Sequence, residues 1–122
     1  MENKSLEYTY QQQIAMMRIL LDIIHADGII DEREIFFFNQ LKEKFNLSDS
    51  DYEVVKAKNS LLALVQIKEM TPEQKKQFAY LMNKMIIVDD DIDVNEVAIY
   101  DVVREFCKID EDFMGFDIDQ TI

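Results

Sequence analysis

Displaced by 62 positions, the chain lies on itself. Asp27, Ile30, Asp31 and Glu34 fall on Asp89, Ile92, Asp93 and Glu96, all identities. Ile35 falls on Val97, Leu41 on Val103, Lys42 on Arg104, Glu43 on Glu105 and Leu47 on Ile109. Upstream, Leu20 meets Met82, Ile23 meets Met85 and Ile24 meets Ile86. Apolar matches apolar, and charge matches charge, over a helix–loop–helix of about three dozen residues. Two copies are too few for a solenoid. The economical solution is an all-α domain spanning 1–122, in which two pseudo-repeated hairpins, at about 14–48 and 76–110, share one core.

The apolar periodicity supports five or six helices. Tyr10, Ile14, Met17, Leu21 and Ile24 recur at spacings of four and three, and Met16, Ile19, Leu20 and Ile23 widen that face. This first helix, about 6–26, is therefore expected at the centre, ending where Gly28 supplies a left-handed turn. Asp31 and Glu34 have the spacing of a capping box opening a second helix, whose stripe is Ile35, Phe38, Leu41 and Phe45. A third runs over about 49–68 on Tyr52, Val55, Leu62 and Val65, and its polar middle, Lys56 to Ser60, predicts a kink or split. Thr71-Pro72-Glu73-Gln74 is a helix start with N-cap, N1 proline and N3 glutamine. The stripe that follows is Phe78, Leu81, Met82, Met85 and Ile86, stopped by the run Asp89-Asp90-Asp91. Asp93 and Glu96 repeat the capping-box spacing before Val97, Tyr100, Val103 and Phe106, and a last turn is expected over 111–114. Two glycines and one proline are too few for a sandwich or barrel of many hairpins.

Charge narrows the function. There are 25 acidic and 13 basic side chains, for a net charge of −12 and a pI near 4.3. That balance opposes binding to nucleic acid and to anionic headgroups, both of which call for clustered Lys and Arg. The imbalance is local: residues 1–88 hold 13 acids and 11 bases, whereas residues 89–122 hold 12 acids and 2 bases. The last third is thus the face expected to meet a cation or a basic partner. The opening residues lack the basic start and apolar run of a signal peptide, and no apolar stretch reaches the ~20 residues of a membrane span. A cytoplasmic location is the expectation. A single cysteine, Cys107, excludes an intrachain disulfide and a Cys-rich zinc site.

The two copies carry a family resemblance. His25-Ala26-Asp27-Gly28-Ile29-Ile30-Asp31-Glu32-Arg33-Glu34 resembles the signature of the TerB-like (tellurite resistance protein TerB) family. Val88-Asp89-Asp90-Asp91-Ile92-Asp93-Val94-Asn95-Glu96 resembles a second, looser copy, with Asp90 in place of Gly28. The match covers about 14–109. The resemblance implies an all-α fold of packed hairpins with acidic residues gathered near the inter-helix loops. It further implies divalent-cation binding and a bacterial stress-response setting.

The candidate metal ligands are Asp27, Asp31 and Glu34 with Asp89, Asp93 and Glu96. Carboxylates are hard oxygen donors suited to Ca²⁺ or Mg²⁺. If the loops approach one another, a cation relieves their repulsion and stabilises the fold by linkage. The competing reading is structural: Asp31 and Asp93 as N-caps worth ~1 kcal/mol each, completed by Glu34 and Glu96, with Asp27 and Asp89 solvated. An EF-hand is excluded, because a twelve-residue loop opening at Asp27 closes at Phe38, and one opening at Asp89 closes at Tyr100, where a bidentate Glu is required.

His25 stands without a second His or a nearby Cys and reads as a surface or structural side chain. Cys107 lies opposite Phe45 in the repeat and reads as core. The methionines Met16, Met17, Met82 and Met85 read as adaptable packing. Phe36, Phe37 and Phe38 cannot all face one side of a helix, so one is exposed or covered by a partner. The function expected is a non-enzymatic, TerB-like acidic module that binds a divalent cation weakly or meets a protein partner. The alternatives are a metal-dependent hydrolase using the same carboxylates, and a dimeric interaction protein using the exposed phenylalanine and the segment Phe113–Phe116.

Overall fold

The computed structural model describes residues 7–88, 92–111 and 113. Among them the chain forms α1 (Tyr10–Ile24), α2 (Glu32–Lys44), α3 (Asp49–Ala57), α4 (Ser60–Lys68), α5 (Pro72–Ile87) and α6 (Val94–Cys107), with no strand. The architecture is the single all-α domain expected from the repeat, with α1–α2 and α5–α6 as the two hairpins.

Helix α1 is the axis of the molecule. It packs against each of the other five helices. Its apolar residues cover so much of its circumference that Ile14 to Met17, Ile19 to Leu21, Ile23 and Ile24 are all buried. Truncating one of the Ile, Leu or Met side chains among them to Ala costs about 2–5 kcal/mol, because neighbours on several sides cannot close the void together. It starts later than the periodicity suggests. Thr9 caps it, accepting from Gln12 N while the Gln12 side chain returns to Thr9 N. That capping box, three residues into the apolar pattern, overrides the hydrophobic signal upstream.

The third expected helix is two. The break at Lys58-Asn59 has an identifiable cause. Arg18 of α1 donates through Nη1 to the carbonyls of Val55 (3.4 Å) and Lys56 (2.9 Å), satisfying the end of α3. Asp22, ion-paired with Arg18, accepts from Ser60 Oγ at 2.7 Å, and Asn59 caps α4 through Leu62 N. Restarting the helix rotates its faces. Leu62 and Val65, expected as anchors, are 59 % and 42 % exposed, and Ala63, Leu64 and Ile67 are buried instead. On α6, Phe106 likewise leaves the stripe, with Tyr100, Val103 and Cys107 inside.

The repeat is visible in the helix ends. After α2, Asn46 takes φ 59° and Leu47 N donates to Lys42 O at 2.9 Å. After α6, Lys108 takes φ 61° and Ile109 N donates to Arg104 O at 2.9 Å. Both are left-handed helix stops followed by a buried aliphatic residue, at positions related by the repeat. Glu111 and Phe113 are not helical, and the rest of the expected last turn, 112 and 114, lies outside the described residues.

Candidate functional site

The first repeat loop is built from short local hydrogen bonds. The α1 backbone unwinds through His25, with Gly28 N donating to His25 O at 3.2 Å. Gly28 has φ +77°, the left-handed turn that a residue without Cβ adopts at no steric cost. Asp27 Oδ1 accepts from Ile29 N at 2.9 Å, and Asp31 Oδ1 accepts from Arg33 N at 2.7 Å as the N-cap of α2. In the second loop, Asp93 Oδ1 caps α6 by accepting from Asn95 N (2.8 Å) and Glu96 N (3.1 Å). Asp31 and Asp93 thus take the N-cap positions expected of them, whereas Asp27, expected to be solvated, is half-buried and closes a turn.

The glutamates do not complete capping boxes. Glu34 and Glu96 are 1 % and 2 % exposed, turned inward from the first turns of α2 and α6. They meet: the two carboxyl groups are hydrogen-bonded to each other. Burial pushes the Glu96 carboxyl up to about 9, reinforced by that hydrogen bond and by the negative charges of Glu34, Asp27 and Asp93. Near neutral pH the pair therefore holds a shared proton. The reason the loops converge is topological. Glu34 and Glu96 are equivalent in the repeat, so the two hairpins bring one matched position of α2 and α6 together.

Of the six expected ligands, Glu34, Asp27 and Asp93 each bear on Glu96, the first by a hydrogen bond and all three by their negative charge. Asp31 is occupied as a cap and forms an ion pair with Arg33 at 3.5 Å. Asp89 lies outside the described residues, as do Asp90 and Asp91. Among the described residues, no three His, Cys, Asp or Glu groups converge as a metal-holding cluster. The donors present are nonetheless of the hard-oxygen type that Ca²⁺ and Mg²⁺ take.

The inward turn of the glutamates has a sequence signal. Glu34 is in helical register with the buried Phe38 and Leu41, and Glu96 with Tyr100, Val103 and Cys107. Both stand one turn before an aromatic residue, and both aromatics make edge-on contacts, Phe38 with Tyr52 at 6.0 Å and Tyr100 with Phe113 at 5.7 Å. Charge at a buried register position is the informative anomaly.

The remaining candidates fall as follows. His25 is exposed. Cys107 is fully buried, with Sγ 3.4 Å from Leu64 O, and burial pushes its thiol up to about 11, away from nucleophilic use. Met16, Met17, Met82 and Met85 are core. Phe36 is the exposed member of its run, at 64 %, and Phe38 is the buried one. Among the described residues no helix is long and apolar enough to cross a membrane.

No family model and no characterised protein matches the chain. Among solved structures it is similar to a protein of unknown function from Porphyromonas gingivalis W83, with a TM-score of 0.73 and 20 % identity over 96 % of each chain. At that identity the likeness establishes the fold, shared over nearly the whole length.

Proposed function

We propose that this chain is a non-enzymatic acidic module of the TerB-like kind, which takes up a divalent cation where its two repeat loops meet. The observation that supports the reading is the buried Glu34–Glu96 pair, with Asp27 and Asp93 adding negative charge from the two loops. Two carboxyls withdrawn from water against each other are costly unless something positive joins them. A shared proton supplies part of that near neutral pH. A divalent cation offers a stronger counter-charge, and Glu34, Glu96, Asp27 and Asp93 are the oxygen donors at hand. The aspartates already serve turns and caps, so ion uptake calls for local adjustment and the affinity is weak. A non-enzymatic role follows from the same economy. These groups hold loops and helix starts in place, an arrangement suited to keeping an ion more than to activating a water.

The proton makes the reading testable. Cation entry displaces it, so affinity rises with pH, by about tenfold per unit at most below the pair's titration. Calorimetric titration with Ca²⁺ and with Mg²⁺ at pH 6 and pH 8, in buffers of different ionisation heat, reads both the affinity and the released proton. Binding with proton release in the wild type and its loss in E34Q/E96Q is the expected result. Absence of heat and of a melting shift at millimolar cation rejects the reading. The TerB resemblance adds a stress-response role, for which survival of the host strain on tellurite with and without this chain is the direct assay.

A further inference from the structure

We infer that a second copy of this chain packs on the face formed by α4 and α6, giving a two-fold symmetric dimer. Six of the nine residues of α4 are apolar, on all sides of the helix, which a helix sustains when it is covered on all sides. The chain itself covers one side. Ala63, Leu64 and Ile67 are buried, while Leu61 is 73 % and Val65 42 % exposed. Beside this ridge runs an apolar groove of about 350 Å³, floored by Ile19, Leu64, Ile99 and Val103. Its far wall carries Val102, 60 % exposed, and one turn further along α6 Phe106 is 44 % exposed beside Lys68.

The occupant is identified by matched stripes. The two helices run side by side in the same direction. Ser60 shares the groove with Ala98 and Ile99, Leu64 O meets Cys107 Sγ, and Lys68 Nζ lies 5.2 Å from the centre of the Phe106 ring. On α4 the outward stripe is Leu61, Val65, Lys68; on α6 it is Ala98, Val102, Glu105. Each has the spacing i, i+4, i+7, and each reads apolar, apolar, charged, with opposite charges at the same end. A two-fold axis along the groove lays α4 of one copy on α6 of the other and preserves height along the axis. Leu61 and Val65 then meet Ala98 and Val102 of the second copy, and Lys68 reaches its Glu105. The face is thus complementary to itself in both apolar pattern and charge, as an isologous interface requires. Glu105 is available for this: its side chain is 76 % exposed, and its contact with Arg104 within the chain is long, at 3.6 Å.

Sedimentation equilibrium over a wide concentration range tests the inference on the full chain. The expected result is a concentration-dependent mass approaching twice 14.5 kDa. V65E and V102E should each lower the association constant by about tenfold or more, with unchanged far-UV circular dichroism. K68E and E105K should each weaken it, and the double variant K68E/E105K should recover it, because the swapped charges again face each other. A monomer at every concentration, a dimer that persists in both valine variants, or a double swap no tighter than the single ones overturns the proposal.

Discussion

Glu96 keeps its proton because burial, the hydrogen bond to Glu34 and the charges of Glu34, Asp27 and Asp93 all act in one direction. The consequence for stability has a definite sign. In the unfolded chain the carboxyl titrates near its ordinary value of 4.5, and in the folded protein it titrates near 9. Between those values the native state binds more protons than the unfolded one, so stability is highest at the acid end and falls as pH rises through about 9. One such proton contributes at most about 1.4 kcal/mol per pH unit. Urea unfolding in the presence of a chelator, from pH 5 to pH 9, should show this decline in the wild type. E96Q retains a donor toward Glu34 without a charge to desolvate, so it should flatten the profile. At pH 9 the variant should be the more stable protein, and at pH 5 the two should agree within ~1 kcal/mol. A wild-type profile as flat as that of E96Q would show that the pair carries no excess proton.

At the scale of the helix, the ends are where sequence and structure agree best. Asp31, Thr71 and Asp93 cap the helices that follow them, and Gly28 takes the left-handed turn. These signals were legible because a cap is a local bond between residues two or three apart. What was not legible depended on tertiary placement. Asp31 and Asp93 cap as their spacing predicts, but Glu34 and Glu96 turn inward, since a capping-box spacing says nothing about a buried partner from the other hairpin. Leu62 and Val65 are exposed where their spacing predicts anchors, because an all-apolar helix has no preferred face until its neighbours are known. Two substitutions follow from the ends. Removing the cap in D93A breaks both bonds to Asn95 N and Glu96 N and should cost about 1–2 kcal/mol by urea unfolding. Lys108, held at φ 61°, carries the strain of a side chain in left-handed backbone, so K108G should stabilise by about 1 kcal/mol. The equivalent N46G should gain less, because Asn tolerates that conformation better.

The molecule as a whole is two hairpins that cannot be separated. The repeat predicts the pairing of helices within each hairpin but not that α1 belongs to both halves. It contacts α2 of its own hairpin, α5 and α6 of the other, and α3 and α4 between them. Opening either half therefore strips apolar cover from the same helix, and the 122 residues should unfold as one cooperative unit. Hydrogen exchange by mass spectrometry distinguishes this from stepwise opening. Amides of α1 between Ile14 and Ile24, nearly all buried, should exchange only through global unfolding, with a protection free energy equal to that from urea. Helix α3 is the opposite case: Val55 is its one buried residue, so its amides should exchange through local opening well below the global value. The C-terminal half of α5, around Met82 to Ile86, should follow α1. If α1 and α5 exchanged with clearly different free energies, the hairpins would be separate folding units and the shared axis would not govern stability.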